Sequence, residues 1–167
     1  MTEPRVDRPV MPEGYGVESA TNEVSWEAVV SKLTESRNYW LATTRADGRP
    51  HVVPRWGVWL DDRFWYDGSP ETLHVKNLNV NPACALHLES GSEVVIVEGS
   101  SLQPDPITGE LGERLAAEYA RKYAPEYTPD PGQWSGDFAG GMRYLEPQKA
   151  IAWTEFPNDV TRFTFPS

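Results

Sequence analysis

Two stretches of the 167-residue chain carry residue types that can do chemistry. The first is "SPETLHVKNL", residues 69–78. Ser69 before Pro70 reads as the cap and first position of a short helix running to about Val80, stopped by Asn81-Pro82. A helix start offers unpaired N–H groups and the positive end of the dipole, so it can take a phosphate. Ser69 and Thr72 add hydroxyl donors, and Lys76 and Asn77 lie one to two turns on, within reach of a phosphate or a cofactor chain. A capped connecting helix with a solvated lysine is the plainer reading of the same residues.

The second stretch is "HVVPRWGVWL", residues 51–60. On strict alternation His51, Val53, Arg55, Gly57 and Trp59 share one face, and Val52, Pro54, Trp56, Val58 and Leu60 the other. The second set is apolar and is expected to be the core face. The first mixes a charge and a hole among large groups. Pro54 has no N–H, so the strand is expected at an edge or locally bulged there. Free backbone donors and acceptors suit the uracil-like edge of a flavin. A barrel corner whose polar residues merely face water is the alternative.

Elements must hold these stretches in place. Ser25 caps a helix expected to run to about Arg37, with Trp26, Val29, Val30 and Leu33 on one face. Residues 39–66 read as three strands joined by turns at Asp47-Gly48 and Asp61-Asp62. "ACALHLES" and "EVVIVEGSSLQ" are two more strands around Ser90-Gly91-Ser92, the second apolar on both faces and therefore central. An amphipathic helix follows, with Leu111, Leu115, Tyr119, Ala120 and Tyr123 at helical spacing. Residues 125–141 hold Trp134 without periodicity, as a lid or partner-contact loop would. Two strands close the chain, about 142–155 and 160–165. The result is about seven strands and about three helices, mostly in hairpins: an antiparallel α+β barrel. Residues 1–23 read as an extended N-terminal arm, free or laid across another subunit, and 24–167 as one domain.

Several chemistries lack their residues. His51, His74 and His87 show no metal-like spacing with each other or with Cys84, so no metal is expected. G-x-S-x-G and G-x-G-x-x-G are absent, which argues against a nucleophile elbow and a Rossmann site. Cys84, the lone cysteine, sits among Ala and Leu as a buried inert thiol, and its usage suits a reducing compartment. The net charge of −10 disfavours nucleic acid and anionic membrane as partners. No apolar h-region opens the chain and no run nears the ~20 apolar residues of a membrane span, so a cytoplasmic location is expected. Seven Trp and seven Tyr serve packing and a dimer interface, or act as platforms for a flat ring.

"WLATTRADGRPHVVPRWGVW", "GSPETLHVKNLNVNPACALHLESG", "VVIVEG" and "TRFTF" together resemble the pyridoxamine 5'-phosphate oxidase-like family of split-barrel flavin and deazaflavin oxidoreductases. The resemblance is closest to its branch using F420, a deazaflavin, in place of FMN. It covers residues 25–100 well and the final strands more loosely. It implies a split β-barrel of about six to seven strands in a homodimer, with cofactor sites at the interface. It implies hydride transfer between F420, or alternatively FMN, and a small conjugated or heteroaromatic substrate. His51, Val53, Pro54, Arg55 and Trp56 would lie along the ring, and Ser69, Thr72, Lys76 and Asn77 would hold the phosphate, with Arg162 a further neighbour. A carrier of flavin, F420 or haem without turnover is a second expectation. Pyridoxamine 5'-phosphate oxidation is a third, and it needs additional basic positions that are not found. Related sequences carry a basic run where this one has Glu71, Leu73 and His74. A carboxylate ~4 Å from a phosphate costs on the order of 1 kcal/mol or more at surface dielectric unless Arg49, Arg55 or a partner arginine offsets it.

Overall fold

The computed structural model describes residues 3–15 and 22–166. Its strands are β1 (Arg5–Asp7), β2 (Tyr39–Thr44), β3 (Pro50–Arg55), β4 (Val58–Leu60), β5 (Arg63–Tyr66), β6 (Ala83–His87), β7 (Val94–Leu102), β8 (Arg143–Trp153) and β9 (Thr161–Thr164). The helices are α1 (Trp26–Glu35), α2 (Leu73–Val80) and α3 (Glu110–Tyr123), with a 3₁₀ turn at Asp137–Gly141. All strand pairs are antiparallel, in the order β1-β9-β8-β7-β6-β2-β3, and the β4–β5 hairpin joins through β5 to β8. This is the α+β split-barrel arrangement expected from the sequence. No helix of the described residues is long and apolar enough to cross a membrane.

Local chemistry explains the elements. The Ser25 hydroxyl accepts the Ala28 N–H at 3.1 Å and starts α1, whose Val29 and Leu33 are fully buried. Asp61 and Asp62 take φ of 52° and 56°, which closes β4 onto β5 in a tight turn. The central strand β7 runs between β6 and β8 and shifts register between Glu98 and Gly99. A Cβ at Gly99 would stand 2.1 Å from the Glu146 carbonyl oxygen. Gly99→Ala is therefore expected to cost about 1–3 kcal/mol, read as a lower urea midpoint at unchanged slope.

Two cores result. Tyr39, Leu41, Phe64, Leu86, Val97 and Phe163 fill the barrel under α1, while α3 covers a second core with Val58, Trp65, Tyr119 and Trp134.

The structure corrects three expectations. Nine strands are described rather than about seven, because β1 pairs with β9 and the long second strand is two. That strand breaks at Trp56-Gly57, and a Cβ on Gly57 would collide at 2.5 Å with both Phe64 and the Trp65 carbonyl. The expected core face of the first half is also inverted. Val52 (48% exposed), Pro54 and Trp56 face outward, while Val53 packs on the barrel core. Alternation cannot tell which apolar face is buried when both carry large residues. Third, α2 begins at Leu73 with Thr72 as its cap, not at Pro70. Of the expected arm, residues 1–2 and 16–21 lie outside the described residues.

Candidate functional site

β3 is the end strand of the sheet path, and its pairing with β2 is continuous from Tyr39↔Arg55 to Thr44↔Pro50. Pro54 is thus accommodated by an edge, not by a bulge. Past β3 the chain turns, and Pro54, Arg55 and Trp56 line a cleft of about 360 Å³ with Asp67, Tyr119, Glu126 and Tyr127. The Trp56 indole stacks on Tyr123 at 4.7 Å and 17°, with the Arg37 guanidinium 5.2 Å from its centroid. The Tyr123 hydroxyl accepts the Gly57 N–H at 2.9 Å and fixes the strand break. Behind it Lys122 donates to the Gly57 carbonyl at 3.0 Å, and burial pushes its ammonium down to about 7.

Arg55 joins the two stretches. Its Nη2 donates to the Asp67 carbonyl, at the end of β5 before the "SPETLHVKNL" segment. Its Nε is buried with no acceptor among the described residues. Such a donor is costly to leave unpaired. The Asp67 carboxylate gathers the 125–141 loop: Oδ2 accepts from the Tyr127 hydroxyl at 2.5 Å, Trp134 Nε1 at 3.0 Å and Gln133 Nε2 at 3.3 Å. Burial and this carboxylate raise the Tyr127 phenol well above its usual range. The loop is therefore a packed wall of the cleft, with Trp134 fully buried.

The phosphate-end residues are placed differently from expectation. The Ser69 hydroxyl accepts the Glu71 N–H, and the hydroxyl of the cap residue Thr72 donates to the Ser69 carbonyl at 2.9 Å, so neither hydroxyl bonds a helix-start N–H. Asn77 is 5% exposed and donates to Thr43 Oγ1 at 3.0 Å, as a strut between α2 and β2. Lys76 is exposed and paired with Glu71 at 3.0 Å. Arg49, named as an offset, is engaged with Asp47, and Arg162, the expected neighbour, with Asp7. What the helix start does offer is backbone: the N–H groups of Leu73, His74 and Val75 have no acceptor among the described residues.

His51 is half-buried on β3, near enough to bias His74, which is buried beside Tyr66 at the start of α2. Burial first, then the Arg55 charge, push the His74 imidazole down to about 4. The unfolded chain, titrating near 6.5, takes up the proton first as pH falls. This residue's share of stability is therefore full above about 6.5 and lost as pH falls toward about 4. The urea midpoint is expected to drop between pH 7 and pH 5 in wild type, and to drop less in His74→Gln.

Burial likewise raises the Cys84 thiol to about 12, in keeping with an inert side chain. Among the described residues no group of three or more His, Cys, Asp or Glu is placed to hold a metal ion. Sequence reading missed Asp67 and its partners Tyr127 and Trp134. Asp67 reads only as the residue ending a strand, and its partners lie 60 and 67 positions away.

A family model described as pyridoxamine 5'-phosphate oxidase matches residues 25–139. No curated protein matches the chain. Among solved structures, a conserved hypothetical protein from Mycobacterium tuberculosis is similar with a TM-score of 0.64 at 20% identity, over 83% of this chain and 89% of that one. A heme binding protein from Mycobacterium smegmatis gives 0.58 at 16% identity, over 78% of this chain and 53% of that one. An F420 reductase gives 0.50 at 22% identity, over 84% and 98%. At such identities the likeness is one of fold.

Proposed function

The chain belongs to the pyridoxamine 5'-phosphate oxidase family, and on that premise we propose that it is an F420-dependent oxidoreductase, with FMN as the alternative cofactor. The observation that carries this reading is the orphaned Arg55 Nε beside the cleft lined by Pro54, Arg55 and Trp56. A deazaflavin or flavin ring bears carbonyl acceptors at its uracil-like edge and flat apolar faces, so a donor beside the Pro54, Trp56 and Tyr127 rings fits it. The Asp67-bound loop fixes the far wall and keeps water from the ring. The amides of Leu73, His74 and Val75 suit the phosphate end through the dipole of α2. Lys76 contributes there only by exchanging its Glu71 partner for the phosphate.

When bound, the cofactor supplies the hydride chemistry to a small conjugated or heteroaromatic molecule. The chain's residues orient it and exclude solvent. An F420 reductase among the structures of like fold supports this choice of cofactor. The outward sheet face supports a homodimer. Trp40 pairs across the sheet with Pro54 and His87, and Ala42 with Val52 and Ala85, which leaves an apolar strip running across β6, β2 and the edge strand β3. A mass of two chains by light scattering is the expected result, and a monomer would count against it. Turnover is tested by anaerobic mixing with reduced F420 and a panel of quinones and nitroheteroaromatics. Reoxidation faster than without protein supports the enzyme; none with any acceptor favours a carrier.

The carrier reading has one observation of its own. His87 Nδ1 lies 2.8 Å from the Leu88 carbonyl, which leaves Nε2 as a lone-pair ligand on the strip where the ring stacks on Trp40. The heme binding protein of like fold is consistent with it. A Soret band on adding haem, lost in His87→Ala, would favour that reading.

A further inference from the structure

We propose that a second cleft binds a small oxyanion carried on an apolar body, an aryl or alkyl carboxylate or phosphate monoester, on the guanidinium of Arg143. This cleft, about 380 Å³, shares no lining residue with the one at Arg55. Pro70, Val75, Lys76, Asn79, Phe138 and Arg143 line it.

Arg143 opens β8 and is 5% exposed. Its Nε donates to Ser101 Oγ at 3.2 Å, Nη1 to Asn79 Oδ1 at 3.0 Å and Nη2 to the Ser101 carbonyl at 2.9 Å. All these acceptors are neutral, and Arg143 has no carboxylate partner among the described residues. A guanidinium carries more N–H donors than these acceptors take, and one on each terminal nitrogen is left over. A buried charge without a counter-charge is costly, and paired guanidinium N–H groups match an oxyanion in bidentate fashion.

The remaining lining fixes the rest of the ligand. At the rim Lys76 and Glu71 neutralise one another, so Arg143 sets the sign of the field inside. Pro70, Val75 and Phe138 add apolar surface. Phe138 is 69% exposed, in a run of left-handed residues, Phe138, Ala139 and Gly140, with φ of 56°, 46° and 58°. Such a backbone is costly for a non-glycine residue. It presents a large apolar ring to solvent beside the cleft, where an aromatic or alkyl body would cover it. The inference does not depend on the ring cleft at Arg55, with which this one shares no lining residue; Val75 and Lys76, proposed above for the cofactor's phosphate end, do line it, so the titration is run without cofactor.

Calorimetric titration of the full chain with benzoate, phenyl phosphate and the neutral benzamide tests it. At least one anion is expected to bind tenfold or more tighter than benzamide, and the tighter of the two tells carboxylate from phosphate. Arg143→Gln should lose that preference. Phe138→Asn, which keeps a residue tolerant of left-handed φ, should weaken the preferred anion several-fold. Equal binding of benzamide and both anions would overturn the proposal, as would an unchanged preference in folded Arg143→Gln. Where Arg143→Gln fails to fold, unchanged anion affinity in Phe138→Asn overturns it.

Discussion

Trp134→Ala is expected to lower unfolding stability by about 3–5 kcal/mol. The indole is fully buried, lies 5.8 Å from the Tyr119 ring and donates through Nε1 to the Asp67 carboxylate at 3.0 Å. Removal leaves a cavity under α3, and the carboxylate loses one of its donors. Trp134→Phe separates the two causes. It keeps most of the ring volume and loses the N–H, so its cost should be about 1–3 kcal/mol. Urea unfolding of both variants is the measurement. Because Tyr127 and Gln133 share the same carboxylate oxygen, Trp134→Ala should also speed proteolysis within residues 125–141. A cost near zero for Trp134→Ala would mean that the loop is not a packed wall.

Arg55→Met has the second large effect, on binding rather than on folding. The guanidinium keeps one buried donor unpaired and gives one hydrogen bond to the Asp67 carbonyl. Losing both leaves unfolding stability within about 1 kcal/mol of wild type, since an unsatisfied donor and a satisfied one are removed together. Affinity for F420 should nevertheless fall about 10- to 150-fold, the equivalent of about 1.5–3 kcal/mol for a charged hydrogen bond. A residue that contributes little to folding and much to binding is the pattern expected of a ligand contact. Arg55→Lys should recover only part of the affinity, because an ammonium does not offer a planar fork.

The barrel was legible because its signals are local. Asp47-Gly48, the Ser25 cap and the apolar run Val94–Val97 each specify an element without help from distant residues. The inverted face of β3 was not, because Val52, Pro54 and Trp56 are as apolar as a core face. Only β2 and the barrel interior decide that Val53 turns inward. The start of α2 moved for a similar reason. Ser69 and Pro70 resemble a cap and first turn, but the hydroxyls of Ser69 and Thr72 bond back into a preceding turn. The candidate site was half legible. Pro54, Arg55 and Trp56 line one cleft, a grouping that the resemblance implied and alternation did not, while Asn77 turned out to be a buried strut and Lys76 an exposed partner of Glu71. Asp67 and Arg143 draw their meaning from partners far along the chain, which no spacing rule reaches.

The central claim is that the cleft at Arg55 receives a deazaflavin ring. Its most direct test is an absorbance titration of the wild-type chain with F420 and, separately, with FMN, repeated with Arg55→Met. The predicted result is micromolar or tighter binding of F420 that weakens at least tenfold in the variant. Micromolar binding of neither cofactor, or binding that Arg55→Met leaves unchanged, would contradict it.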